Sequence, residues 1–103
     1  MKEIIKKIEK DKLLLMIDTE IFEKEAILQA SYKYTKKCFI NIEKNDNKIE
    51  VYFIPKYEGL ELEKLALEFG NEVIDQQIRL VTRREYQEIR EKLVAKAFSS
   101  INK

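Results

Sequence analysis

All four arginines of this 103-residue chain lie close together near its C-terminal end: Arg79, Arg83, Arg84 and Arg90. The lysines are spread elsewhere in the sequence. A guanidinium presents a planar fork of N–H donors that binds a carboxylate or a phosphate through two hydrogen bonds at once. The cluster therefore predicts a surface that recognises an acidic group. The alternative is that Arg79 pairs with Asp75 at i, i+4 and that the other arginines are solvated.

Arg90 differs from the other three because it falls in the apolar arc of its predicted helix, beside Tyr86 and Leu93. A buried guanidinium needs a hydrogen-bonding partner. Within the chain that partner could be Gln77, Glu63 or Asp18, and a ligand carboxylate is the alternative.

The remaining reactive side chains do not form a catalytic set. Glu72 and Asp75 are paired carboxylates at i, i+3, but nothing in the sequence raises either pKa, and a solvated helix face is the better interpretation. Cys38 is the only cysteine and the chain has no histidine, so neither an activated thiol nor a conventional zinc site is indicated. We expect a protein that is not an enzyme and has no cofactor.

The composition predicts one soluble domain over residues 1–103, with residues 1–11 as an N-terminal helical extension. Hydrophobic residues make up 45% of the chain and charged residues 38%, which is typical of a folded, soluble protein. A net charge of +1 provides no general attraction to nucleic acid or to an anionic membrane. There is no signal-peptide pattern and no apolar run that could span a bilayer, so the cytoplasm is the expected location.

Hydrophobic periodicity predicts an α+β fold, with a small three-stranded sheet and helices packed mainly on one face. The predicted order is α-β-α-β-β-α-α, with elements at about residues 2–10, 13–17, 23–37, 38–43, 48–54, 60–81 and 83–99. The aromatic residues Phe39 and Tyr52 fall on the sheet face opposite the core. They resemble a stacking platform for single-stranded RNA, but no basic, glycine-flanked motif surrounds them.

The helix predicted over residues 60–81 carries two apolar stripes, which indicates burial on two sides, by the sheet and by the last helix. Gly70 lies between the stripes and is interpreted as a packing glycine that lets a neighbouring element come close. The helix is predicted to end at Thr82, because Thr82 and Glu85 fit a capping box for the next helix.

Several segments together resemble the His-Xaa-Ser system D-protein family (HxsD-like). They are residues 21–35 (IFEKEAILQASYKYT), residues 68–76 (EFGNEVIDQ) with Ile78-Arg79, and the pairs Ile89-Arg90 and Ala97-Phe98. Their order and spacing match that family over roughly residues 13–100. The resemblance implies an accessory protein of a bacterial peptide-maturation cassette, encoded with radical S-adenosylmethionine enzymes that modify a ribosomally made precursor.

The resulting hypothesis is a non-catalytic module that binds the precursor peptide or the radical enzyme. Either an unpaired sheet edge accepts an extended peptide, or a polar surface reads charged side chains. The candidate binding residues are Asn71, Asp75, Arg79, Arg83 and Arg84, together with Phe39 and Tyr52. The first alternative is a homo-oligomer, such as a homodimer, that pairs through the sheet face with Phe39, Tyr52 and Ile54. The second alternative, ranked below it, is a nucleic-acid-binding domain.

Overall fold

A computed structural model of the chain describes the backbone of residues 4–101 and the side chains of residues 4 and 6–97. The elements are β1 (Ile4–Glu9), β2 (Lys12–Asp18), α1 (Lys24–Tyr32), β3 (Cys38–Asn45), β4 (Lys48–Pro55) and α2 (Leu62–Ile101). The α+β class is confirmed. The predicted element order is wrong at both ends, because the described chain runs β-β-α-β-β-α.

The first error concerns the N-terminal segment. The residues predicted as a helix form the strand β1. Ile4, Lys6 and Ile8 alternate onto one face of the sheet, where they lie opposite Ile17, Leu15 and Leu13 of β2. Three isoleucines in a short segment favour a strand, and β2 provides the partner that an isolated helix would lack. The turn between the strands places Lys10 at a φ of 51°, a region that lysine seldom occupies, so the turn was not visible in the sequence.

The sheet therefore has four strands rather than three, in the order β1-β2-β4-β3, and every neighbouring pair is antiparallel. The strands predicted at residues 38–43 and 48–54 are confirmed, and they form the β3–β4 hairpin with Asp46 at the positive φ of 56° in its turn. Since β2 and β3 both pair with β4, they run parallel to each other with β4 between them. The helices lie on one face of the sheet, as predicted.

The core lies between that face and the helices. It joins apolar side chains from the three longest strands to buried residues of both helices: Leu13, Leu15, Ile17, Cys38, Ile49, Val51, Phe53, Ile27, Ala30, Leu65, Phe69 and Val73. Tyr34 closes one end, with its ring 6.4 Å from Phe53 and 5.6 Å from Phe69 between centroids, both in edge-to-face geometry. α1 ends five residues earlier than predicted because residues 33–38 form successive turns that bring this ring onto the core.

The second error concerns the break at Thr82. α2 is one helix of 40 residues, and no glycine or proline near Thr82 ends its first half. A capping box requires an extended N-cap residue, whereas here the backbone continues its i to i−4 hydrogen bonds through Thr82. The second apolar stripe is therefore left largely uncovered, with Leu67 75% exposed and Ile78 60% exposed.

The uninterrupted helix also overturns the interpretation of Arg90 as a buried guanidinium, because residues 81–97 are all exposed. The described part of the chain measures 69 × 28 × 20 Å with this helix as its long dimension. Within residues 4–101, no helix combines the length and the hydropathy needed to cross a bilayer.

Candidate binding cleft at the sheet edge

β3 and β1 are the two edge strands of the sheet, and they differ in how open they are to another strand. β1 carries Lys6 and Lys7 in its middle, and both are engaged in ion pairs, with Glu63 and Glu9 respectively. Lysines on an edge oppose pairing with a further chain. β3 has one lysine, Lys44, near its end, whereas its first half has none, and Phe39 there is 62% exposed. The β3 edge is thus the more receptive of the two.

A cleft of about 170 Å³ runs beside the β3 edge, between the sheet and α1. Ile42 of β3, Ile49 of β4 and two residues of α1, Ile27 and Leu28, form its apolar lining. Ile27 and Ile49 are buried, whereas Leu28 is 43% exposed. Apolar surface that stays partly open beside an unpaired strand is typical of a site that accepts a side chain from a bound segment.

Two lysines stand at the rim of this cleft, Lys24 at the start of α1 and Lys44 near the end of β3. Both are exposed, and no ion pair within the described residues engages either one. A segment that lay in the cleft would place its apolar side chain between two positive charges. Acidic residues next to that side chain would therefore be favoured.

Neither α1 nor α2 covers the opposite face of the sheet in the described part of the chain. Phe39 lies across from Ile54, and Asn41 lies across from Tyr52, so both predicted aromatic residues share this face. The Lys56 ammonium lies 4.9 Å from the centre of the Phe39 ring, and the Tyr52 hydroxyl donates to Glu50 at 2.7 Å. An extended segment paired with β3 would alternate its side chains between this face and the cleft.

α1, the helix that forms one wall of the cleft, is fixed to α2 at Glu23. The Arg84 guanidinium donates to both Glu23 carboxylate oxygens, at 2.8 and 2.7 Å, and Gln77 donates to one of them at 2.7 Å. These hydrogen bonds, that of Arg84 first, hold the pKa of Glu23 below its ordinary value. A second contact between the helices is the ion pair of Lys33, at the end of α1, with Glu72 of α2 at 2.9 Å.

Glu72 was expected on a solvated face, yet it is half-buried and forms the ion pair with Lys33. Partial burial raises the pKa of Glu72, but hydrogen bonds from Gln76 and Lys33 together outweigh that effect, so the pKa falls below its ordinary value. Cys38 is buried in the core, and burial raises the pKa of its thiol, whereas an activated thiol has a lowered pKa.

The structure places the predicted binding residues in three separate locations. Asn71, Asp75 and Arg79 lie along the exposed side of α2. Arg79 pairs there with Asp75 at 3.0 Å, which is the i, i+4 pairing expected as the alternative to recognition of an acidic group. Arg83 and Arg84 face the start of α1. The two aromatic residues, Phe39 and Tyr52, lie on the far side of the sheet. Whether any of the seven residues binds a partner stays a prediction.

Arg83 and Arg84 are not simply solvated, because both approach carboxylates of α1. Arg84 binds Glu23, and the nearest distance from Arg83 to Glu25 is 4.0 Å. Together with the pairing of Arg79, these contacts use three of the four arginines inside the chain. Arg83 and Arg84 therefore link α2 to the start of α1, whereas Arg79 pairs within α2. This internal use of the cluster reduces the support for the nucleic-acid alternative.

Sequence reasoning missed the cleft, although one signal was present. Leu28 is an apolar residue on the side of α1 away from the buried Ala26 and Ala30, where it has no packing role in the core. To predict that Leu28 lies beside Ile42, one must know that β3 is an edge strand and that α1 lies next to it. That order depends on β4 inserting between β2 and β3, which no local pattern in the sequence specifies.

In comparisons with known proteins, a family model described as His-Xaa-Ser system protein HxsD matches residues 17–103. The match covers most of the chain and begins at the last core residue of β2. Comparisons with curated proteins and with solved structures gave no match.

Proposed function

The chain belongs to the His-Xaa-Ser system protein HxsD family, and from this premise we propose that it is a non-catalytic recognition protein that holds an extended peptide along β3. Membership of the family suggests a role in the His-Xaa-Ser system. The proposed ligand is the precursor peptide of a maturation cassette, presented to a radical S-adenosylmethionine enzyme that carries out the chemistry.

One observation carries this proposal, namely the free β3 edge beside the apolar cleft at Leu28 and Ile42. Backbone hydrogen bonds to an edge strand give affinity that depends little on sequence, and a pocket for alternate side chains adds specificity. The rim lysines, Lys24 and Lys44, add a preference for acidic neighbours. The favoured segment is therefore extended, with one apolar side chain flanked by carboxylates.

The titration behaviour of the described side chains supports a role without catalysis. The pKa values of Glu23, Glu50 and Glu72 are lowered, and those of Tyr34, Tyr52, Cys38 and Arg84 are raised. Each of these shifts moves the group away from neutrality. A general acid, a general base or a nucleophile that works near pH 7 is tuned in the opposite direction.

The test is a fluorescence-anisotropy titration of the labelled precursor peptide encoded beside this protein, followed by a pull-down with the neighbouring radical enzyme. We expect saturable binding of the peptide. Leu28→Asp should weaken it by about 10- to 100-fold, because the lost contact is that of one buried leucine and a charge now occupies the cleft. Absence of binding to both peptide and enzyme would contradict the proposal.

A matched control separates the cleft from the rest of α1. Tyr32→Asp introduces the same charge one turn further along the helix, at a residue that is 77% exposed and does not line the cleft. This variant should bind the peptide as the unmodified protein does. Equal loss of affinity in both variants would show that the peptide binds elsewhere.

The charge preference has its own test. The double variant Lys24→Glu/Lys44→Glu should lose affinity for peptides with acidic flanks and gain affinity for the same peptides carrying lysine at those positions. If the two peptide sets keep their order of affinity, the rim lysines do not contact the ligand.

A further inference from the structure

The part of α2 beyond Thr82 has an apolar surface that nothing in the described chain covers. Tyr86, Ile89 and Leu93 follow one another at i, i+3 and i+7 and are 69%, 58% and 63% exposed. This is the spacing of the a, d and a positions of a coiled coil. Ile78, 60% exposed, lies about 50° around the axis from this line and adds apolar surface at its inner end, whereas the heptad positions there are the polar Thr82 and Arg79.

This surface faces away from the protein's own fold. At 3.6 residues per turn, the seam formed by Tyr86, Ile89 and Leu93 lies roughly 150° around the helix axis from the buried positions Phe69 and Val73. A second helix could therefore lie along α2 without meeting the sheet or α1. Without such a partner, residues 83–97 form an unsupported helix of a length that is marginal in water.

We propose that the occupant of this seam is a second copy of the same chain, which forms a parallel, two-stranded pairing of α2 helices. Glu85 and Arg90 flank the seam on opposite sides and are five residues apart, so in a parallel pair each Glu85 meets the Arg90 of the other copy. No ion pair within the described residues engages either side chain. A surface that carries both members of its own charge pair is self-complementary, as a twofold interface requires.

An antiparallel pairing would gain less from these charges. On one flank Arg83 would face Arg90 of the other copy, which is repulsive, and on the other flank Glu85 would face Lys92, which is attractive, so the two contributions roughly cancel. The near-zero net charge of the chain adds little repulsion between copies in either orientation.

The chain exposes more surface than a compact protein of its mass. A folded monomer of 12.3 kDa is expected to expose about 6,100 Å², whereas this chain exposes 7863 Å². Pairing of the protruding helix would bury part of this excess of about 1,800 Å², and a standard protein interface requires roughly 800 Å² from each partner. The radius of gyration, 18.6 Å, likewise exceeds the value of about 13 Å expected for a compact chain of this length.

The test is sedimentation equilibrium of the full chain over a range of concentrations. The unmodified protein should have twice the mass of one chain, and Ile89→Asp and Leu93→Asp should shift it to a monomer while the circular dichroism of the sheet and α1 is retained. The control, Gln87→Asp, adds the same charge on the same helix outside the seam and should leave the dimer intact. A strict monomer at about 100 µM, where a stable twofold pair would be assembled, would overturn the proposal.

Charge exchange tests the orientation. Glu85→Arg and Arg90→Glu should each weaken the dimer by about tenfold, and the double variant should restore it. In an antiparallel dimer Arg90→Glu would instead strengthen association, because it removes a repulsion. That result would overturn the parallel arrangement. These variants leave Leu28 and the β3 edge unchanged, so the peptide proposal is judged separately.

Discussion

Gln77 and Glu23 bind each other through two hydrogen bonds, although 54 positions separate them in the chain. The Glu23 backbone N–H donates to Gln77 Oε1 at 2.8 Å, and Gln77 Nε2 donates to Glu23 Oε2 at 2.7 Å. Glu23 is the N-cap residue of α1 and makes no side-chain cap of its own. Gln77 therefore satisfies, from another helix, a backbone donor at the start of α1.

Gln77→Ala should lower the free energy of unfolding by about 1–2 kcal/mol, because it removes both hydrogen bonds and leaves the Glu23 N–H without this acceptor. In thermal unfolding this corresponds to a decrease in Tm of about 4–8 °C per kcal/mol. Gln87→Ala is the matched control, since Gln87 is exposed and, among the described residues, its side chain donates to its helix neighbour Glu91 at 3.3 Å. If both variants lose the same stability, the contact with Glu23 does not hold α1.

The pH dependence of stability should change when Glu23 is replaced by glutamine. The pKa of Glu23 is lowered in the folded protein, so its charged interactions stabilise the fold above the unfolded value of about 4.5. That contribution is lost as the pH falls through the folded pKa. Chemical denaturation should therefore show the unmodified protein to be more stable than Glu23→Gln at pH 7, with a difference that shrinks toward pH 3. A difference independent of pH would contradict the prediction.

Gly70→Ala should stabilise the protein by about 0.5–1 kcal/mol. Gly70 lies inside α2 with a helical backbone, and a Cβ atom there would meet Ile4 Cδ1 at 3.8 Å, an ordinary van der Waals contact. The close approach that the sequence predicted for this glycine is therefore not required. Urea unfolding at a fixed protein concentration measures the effect. A loss of stability would show that β1 packs more tightly on α2 than this distance indicates.

Thr82→Ala distinguishes a continuous α2 from two helices. In an uninterrupted helix alanine replaces a weaker helix former, and the free energy of unfolding should rise by about 0.5 kcal/mol. If Thr82 were an N-cap, the same change would lower it by about 0.5–2 kcal/mol. A continuous helix and a pair of helices therefore predict opposite changes in the free energy of unfolding, which one chemical denaturation experiment measures.

The parts of this fold that follow from local patterns were predictable. The β3–β4 hairpin with its Asp46 turn, the buried stripe of α2 at Leu65, Phe69 and Val73, and the burial of Ala26 and Ala30 in α1 agree with the periodicity of the sequence. In each case the side-chain period and the turn residues indicate the same element.

The errors arose where tertiary contacts or helix continuity decide between two local possibilities. Ile4, Ile5 and Ile8 fit one side of a helix as well as an isoleucine-rich strand, and only pairing with β2 selects the strand. Thr82 and Glu85 fit a capping box, but nothing before Thr82 ends the helix. The cleft at Leu28 depends on the order of the strands, which the sequence does not display.

The continuity of α2 through Thr82 also has a mechanical consequence. A helix of 40 residues without a break is a stiff rod of about 60 Å. Its first half lies on the sheet, and near its middle Gln77 and Arg84 hold Glu23, where α1 begins. Because the helix is unbroken, Gln77 and Arg84 keep a fixed position relative to Phe69 and Val73, which are buried in the core. The start of α1, and with it one wall of the cleft, is therefore held in register with the sheet.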